Sequence, residues 1–233
     1  MPISGRPLLE NWLCMLHRSG VSNVVVNTHY HSGIVRNFLQ RERFSSWVSS
    51  VYESELLGTA GTLRNYGRDH PRETIVLAHA DNWCCCNFYE FIEFHRNNRP
   101  KHTVMTMMTF RTTDPKNCGI VELDNENKVI AFHEKIENPP GNLANGAVYL
   151  LEPEVFEWLD KYPHCTDFSA EVLPSFVGNI ATWENTDVHR DVGTIKDLLA
   201  VQKDLPPVPC WPYPDDWDQM FSSHRIHQLL GQS

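Results

Sequence analysis

The chain has 233 residues, 41% of them hydrophobic and 21% charged, with a formal net charge of −9 at pH 7. That composition suits a globular protein with length for one large α/β domain or two small ones. The acidic balance and the lack of a Lys/Arg block argue against a nucleic-acid backbone as partner, and no apolar run is long enough to cross a bilayer. A ligand carrying phosphate would therefore need local cations, a metal or helix N-termini.

The first predicted element is a helix. Pro7 fits its first position, Leu8, Leu9, Trp12, Leu13 and Leu16 form one apolar stripe, and Gly20 is a natural stop. Residues 21–28 read as a buried, β-branched strand, 32–43 as a second helix and 47–53 as an alternating strand. The β-α-β rhythm with short links predicts parallel strands. A helix is expected over about 59–69, and a strand over 74–80 that ends abruptly in Asp81-Asn82. In an open α/β sheet, a buried parallel strand delivers a polar group in this way to the crevice at its carboxyl end. A helix over 87–98 and a strand over 103–110 follow.

The rhythm then changes. Residues 119–124 and 128–134 read as a hairpin with a polar turn, and 145–151 as a strand. A short helix is expected over 154–160, and Asp167 would cap another that runs to 176. Strands near 180–183 and 188–190 precede a helix over 194–203. The tail from 204 is proline-rich and aromatic, hence extended rather than helical, and wraps the domain or packs on a partner. The expected organisation is a domain over 1–203 and a tail over 204–233.

Seven cysteines stand at 14, 84, 85, 86, 118, 165 and 210, with no C-x-x-C pair. An odd count without a framework predicts thiols in a reducing cytoplasm. Cys84-Cys85-Cys86 has no matching ligand set and would pack a helix start. His29 and His31 flank Tyr30 as a metal pair would, but the spacing without further ligands is weak, and a loop at a strand end is the plainer reading.

Several blocks, in order and over nearly all of 1–203, carry a family resemblance. They are Pro2-Ile3, Gly5 to Leu9, Leu57-Gly58-Thr59-Ala60-Gly61, Ala80-Asp81-Asn82, Gly119-Ile120-Val121, Glu134-Lys135, Asn145-Gly146 with Tyr149, Asp167-Phe168-Ser169 and Asp191-Val192-Gly193-Thr194. The chain resembles the sugar-1-phosphate nucleotidyltransferases, most nearly the mannose-1-phosphate guanylyltransferase type. The resemblance implies a Rossmann-like nucleotide-diphospho-sugar transferase fold, an α/β class with a mixed, mainly parallel sheet flanked by helices. In that chemistry a sugar-phosphate oxygen attacks the α-phosphorus of a nucleoside triphosphate, with GTP favoured, and pyrophosphate leaves.

It also implies roles. Asp81 and Asp191 match the two aspartates that bind Mg²⁺, and with Lys135 they are the expected catalytic residues. Each aspartate follows a predicted strand, although either alone would be an ordinary loop carboxylate or helix cap. Leu57, Gly58 and Thr59 match the nucleotide-contacting segment. Gly119, Glu134, Lys135, Asn145 and Gly146 match the sugar-phosphate site. The family's first strand and its glycine-rich triphosphate loop, of G-x-G-T-R-L type, have no counterpart among these residues. The central strand of the sheet is therefore expected to be missing, leaving two edges unpaired. Two readings follow: the body of an active enzyme whose family start lies upstream, or a non-catalytic subunit that binds a nucleotide sugar or pairs with a complete homologue. A nucleotide-sugar glycosyltransferase fits less well, because Asp81-Asn82 lacks the Asp-x-Asp pattern. No nucleic-acid or membrane partner is expected, and a homo-oligomer stays open.

Overall fold

The computed structural model describes residues 1–70 and 73–231. In chain order the elements are β1 (Pro2–Ile3), β2 (Arg6–Pro7), α1 (Leu8–Arg18), β3 (Val24–Thr28), α2 (Ser32–Leu39), α3 (Glu42–Ser45) and β4 (Val48–Tyr52). Next come α4 (Gly58–Asp69), β5 (Ile75–Ala78), β6 (Asn82–Cys85), α5 (Phe88–Glu93) and β7 (Met105–Arg111). They are followed by β8 (Gly119–Leu123), β9 (Val129–Glu134), β10 (Leu143–Leu151), α6 (Pro153–Lys161), β11 (Ile180–Glu184) and β12 (Val188–Asp191). The chain ends with α7 (Ile195–Val201), α8 (Asp216–Ser222) and α9 (Arg225–Gly231). Two compact units result: Met1–Leu56 with Ala80–Tyr89 and Val188–Ser233, and Leu57–His79 with Glu90–Asp187.

In the first unit, α1 buries Leu8, Trp12, Leu13 and Leu16 of the predicted stripe and half-buries Leu9, and Gly20 follows it at φ 80. Pro7 stands one residue before the helix, because its backbone position pairs with Pro2 in the small β1–β2 ladder. β3 and β4 pair in parallel, as the β-α-β rhythm predicts. β3 is not the buried strand expected: Val24, Val25 and Val26 are half-buried and Asn27 is exposed. Among the described residues β4 is its one partner strand. The single helix expected over 32–43 is broken in two, with Arg41 in extended backbone at the break. There its side chain enters a buried ion cluster. Arg41 pairs with Glu10 at 3.0 Å, Asp215 at 2.8 Å and Asp218 at 2.7 Å, while Arg6 reaches Glu10 at 2.7 Å.

The tail corrects two expectations. Residues 204–215 hold no regular element, but α8 and α9 follow, so the tail is not extended throughout. The proline run ends at Pro214, and Asp215 then caps α8 by accepting from the Asp218 N–H. Second, Cys14 and Cys210 form a disulfide across a sequence separation of 196, with Cα atoms 5.5 Å apart. Spacing could not reveal it, because the tail returns over α1 only in the folded chain. The tail's tryptophans pack apolar residues of the same unit: Trp211 lies 5.1 Å from the Phe44 ring and Trp217 4.9 Å from Phe38.

The second unit holds a six-stranded mixed sheet in the order β11-β7-β10-β8-β9, with β5 also pairing β10. Only β11–β7 is parallel; β7–β10, β10–β8, β8–β9 and β5–β10 are antiparallel. The α/β class stands, while the pairing balance is antiparallel rather than mainly parallel, because the 119–134 hairpin and β10 dominate it. β5, the strand that leads to Asp81, likewise has an antiparallel partner and none parallel among the described residues. Among the described residues β3 pairs β4 alone and β5 pairs β10 alone. Met105, Met107, Tyr149, Leu151, Phe168 and Leu173 form the heart of the core of this unit.

Candidate functional site

Two strands position the acidic pair, both in the first unit. β6 and β12 run antiparallel, with Asn82 opposite Asp191, Trp83 opposite Arg190 and Cys84 opposite His189. Asp81 thus directly precedes the residue that faces Asp191, although 110 positions separate them in sequence. Of the Cys84–Cys86 run, expected at a helix start, Cys84 and Cys85 instead end a strand whose Trp83 and Cys84 are buried, and Cys86 stands in the bend before α5. Asp81 and Asp191 are both exposed, and among the described residues neither takes part in an ion pair. Asp81 stands in the turn before β6 and Asp191 ends β12, so the two are candidate oxygen ligands for a hard divalent cation whose other ligands would be phosphate oxygens and water. Among the described residues no group of three His, Cys, Asp or Glu side chains is arranged to hold a metal.

Supporting residues outside any motif hold this pair of strands. Asp204 accepts from Trp83 Nε1 at 3.0 Å and from Arg190 Nε at 2.9 Å and Nη2 at 3.2 Å. One carboxylate therefore ties the strand after Asp81 to the strand that ends in Asp191. Trp12 Nε1 donates to the Asn82 carbonyl at 2.8 Å and fixes the same stretch from α1. The only signal in the sequence was that a buried indole N–H needs an acceptor. Thr194 and Asp197 exchange N–H bonds in a capping box at α7, which fixes the turn after Asp191. His189, beside Arg190, is pushed down to about 4 by burial and is neutral at pH 7.

The second unit gathers the predicted sugar-phosphate residues. Gly119 lies opposite Glu134, and Ala144 opposite Ile120. One step along the β10–β8 register puts Asn145 beside Gly119, so Glu134, Gly119 and Asn145 share a row across three strands. A methyl group at Gly119 would lie 2.7 Å from Glu134 Oε2 and 2.7 Å from the Phe132 ring, so any larger residue there would displace the Glu134 carboxylate or the Phe132 ring. Lys135 follows at φ 48, exposed, its N–H donating to Cys118 O at 3.3 Å and its Nζ 3.9 Å from Glu134.

Gly146 is buried in an irregularity of β10 between Asn145 and Tyr149, where Ala147 takes φ 52. Such irregularities re-aim side chains and recur beside active sites. The Asn145 amide spans it: Oδ1 accepts from Ala147 N at 3.0 Å, and Nδ2 donates to the Tyr149 hydroxyl at 2.7 Å. Burial raises the Tyr149 phenol far above its ordinary value, against the hydrogen bonds with Asn145 and Ser169, so it stays neutral.

Leu57, Gly58 and Thr59 open α4 in the same unit. Gly58 has φ +72, and a methyl group there would collide with the Thr166 carbonyl oxygen. Thr59 Oγ1 accepts from Phe168 N at 2.8 Å, and Ala60 N donates to Thr166 O at 2.9 Å. This segment is thus locked to residues 166–168, and Leu57 is left 37% exposed. His29 bonds the Glu53 carbonyl through Nδ1 at 2.8 Å, and it joins no ligand group with His31 among the described residues. An open pocket of about 520 Å³ lined by Trp158, Tyr162, His164 and Glu171 contains none of the residues singled out from sequence.

Residues 1–207 match the family described as nucleotidyl transferase. A mannose-1-phosphate guanylyltransferase of Mycobacterium tuberculosis is 27% identical over 212 residues, covering 88% of this chain and 57% of that protein. A mannose-1-phosphate guanyltransferase 2 of Candida glabrata is 27% identical over 203 residues, covering 84% of this chain and 55% of that one. The chain thus spans little more than half the length of these relatives. Among solved structures, a candidate glucose-1-phosphate thymidylyltransferase of Bacillus anthracis superposes with a TM-score of 0.77 at 18% identity, covering 87% of this chain and 83% of that one. HddC of Yersinia pseudotuberculosis superposes with a TM-score of 0.72 at 22% identity, covering 87% of each chain. These two likenesses establish the fold.

Proposed function

Because the chain belongs to the nucleotidyl transferase family, we propose that it transfers a nucleotidyl group from a nucleoside triphosphate to a sugar 1-phosphate, releasing a nucleotide sugar and pyrophosphate. The observation that carries this reading is the placement of Asp81 one residue from the cross-strand partner of Asp191. Both carboxylates would hold Mg²⁺, which when bound neutralises charge on the phosphate oxygens. The names of the relatives favour GTP and mannose 1-phosphate.

In this reading Lys135 brings an ammonium to the sugar phosphate, whose oxygen attacks the α-phosphorus. Glu134 accepts from sugar hydroxyls, and the Gly119, Asn145 and Gly146 backbone lines the sugar. Leu57, Gly58 and Thr59 meet the base with backbone that the Thr166 contact holds rigid, so little ordering is left for binding to supply. Most of the catalysis in such a transfer is positioning and electrostatic stabilisation. The test is pyrophosphate release by the 233-residue chain from GTP and mannose 1-phosphate with Mg²⁺. Other nucleotides and glucose 1-phosphate serve as rival substrates.

A further inference from the structure

Strand β6 carries a second set of donors, distinct from the carboxylates at its start. Cys84 lies in β6 and Cys86 just beyond its end, where the chain bends. Their sulfurs lie 4.0 Å apart. Helix α1 brings a third sulfur: Met15 Sδ is 3.8 Å from Cys86 Sγ. The helix is anchored over this strand by the Trp12 bond to Asn82, so the approach of Met15 is built into the packing of the unit. Cys84 is buried, and Cys86 and Met15 are half-buried.

From this geometry we infer a site for a soft monovalent cation, copper(I), held by Cys84, Cys86 and Met15. Thiolate and thioether sulfur are the donors that select such an ion, whereas Mg²⁺ and Ca²⁺ require oxygen. Three sulfurs around one cation at about 2.3 Å each stand about 4.0 Å from one another in a trigonal plane. The two observed separations match that spacing with little movement. Zn²⁺ is excluded by donor count, since it takes four ligands and no group of three His, Cys, Asp or Glu side chains is gathered here among the described residues. Binding forms three metal–sulfur bonds, releases the two thiol protons to solvent and changes no oxidation state. The Cys14–Cys210 disulfide takes no part, because its sulfurs are already bonded to each other.

The experiment offers copper(I), buffered by bathocuproine disulfonate without oxygen, to the full chain with its disulfide intact. The expected result is that one equivalent leaves the chelator. X-ray absorption should count three sulfur neighbours. C84S and C86S should each weaken retention by about 100-fold, and M15L by about 10-fold with a sulfur count of two. C118S should bind as the parent does. Since Cys84 is buried, C86S and M15L carry the test if C84S fails to fold. Copper retained undiminished by both C86S and M15L overturns the site, as does no retention by the parent chain. Neither result depends on nucleotidyl transfer.

Discussion

Replacing Arg41 by Met tests how the tail is held. Arg41 is 7% exposed and its guanidinium faces Glu10, which is 2% exposed, as well as Asp215 and Asp218. It also stacks over Trp217, Phe38 and Phe44 at 4.9, 5.2 and 5.3 Å. Met keeps most of the stem packing and removes the charge. Three acidic groups then face two basic ones, Arg6 and Arg43. Breaking a buried pair by removing one partner costs about 3–5 kcal/mol. Arg6 still holds Glu10 at 2.7 Å, so the low end applies, about 3 kcal/mol. At about 2–4 °C per kcal/mol for a chain of this size, the melting temperature should fall by about 6–12 °C. Tryptophan fluorescence is the assay, because Trp211 and Trp217 sit beside the cluster. Adding Glu10→Gln should recover part of the loss, since both members of the pair are then neutral. A fall under about 2 °C would show that water, not the protein, compensates these charges, and would refute the reasoning.

Asp81→Asn and Asp191→Asn should each abolish Mg²⁺-dependent pyrophosphate release while leaving the melting temperature unchanged, as both side chains are exposed. Acid should unfold the chain through Asp215 and Glu152. Burial raises both carboxyls, but hydrogen bonds from Arg41 to the first and from Arg99 and His95 to the second outweigh it and hold them below the ordinary range. Their stabilisation is complete above the unfolded value of about 4 and is lost as pH falls through the lower folded values. His189, held neutral by burial down to about 4, adds a loss that begins as pH falls through the unfolded histidine value of about 6.5, so thermal melts should decline gently from there and steeply below about 4, and a level profile down to about pH 5 would show that water reaches His189. Cys14→Ser with Cys210→Ser should cost about 2–4 kcal/mol in urea melts and speed proteolysis of the tail. Gly58→Ala should destabilise by more than about 1 kcal/mol, because its backbone is left-handed and the methyl would meet Thr166, and an unchanged melt would show that the loop shifts freely.

Periodicity and turn chemistry made most elements legible. The α1 stripe, the parallel β3–β4 pair, the 119–134 hairpin, the Asp167 cap and the Thr194 start of α7 all follow from local patterns of a few residues. The family resemblance pointed to Asp81 and Asp191 as candidates, and the β6–β12 register sets Asn82, the residue after Asp81, opposite Asp191. What stayed hidden depends on partners distant in sequence. The strand at Asn82–Cys85 was unreadable because its pattern is short and its partner lies over a hundred residues away. β5 looked parallel because burial alone carries no information about strand direction. The break at Arg41, the disulfide to Cys210 and the clamp by Asp204 on Trp83 and Arg190 all need the tail to return, and no local propensity encodes that return. Backbone preferences act over neighbours and so are written in sequence; charge pairing, disulfide closure and sulfur convergence act through space, and only packing decides them.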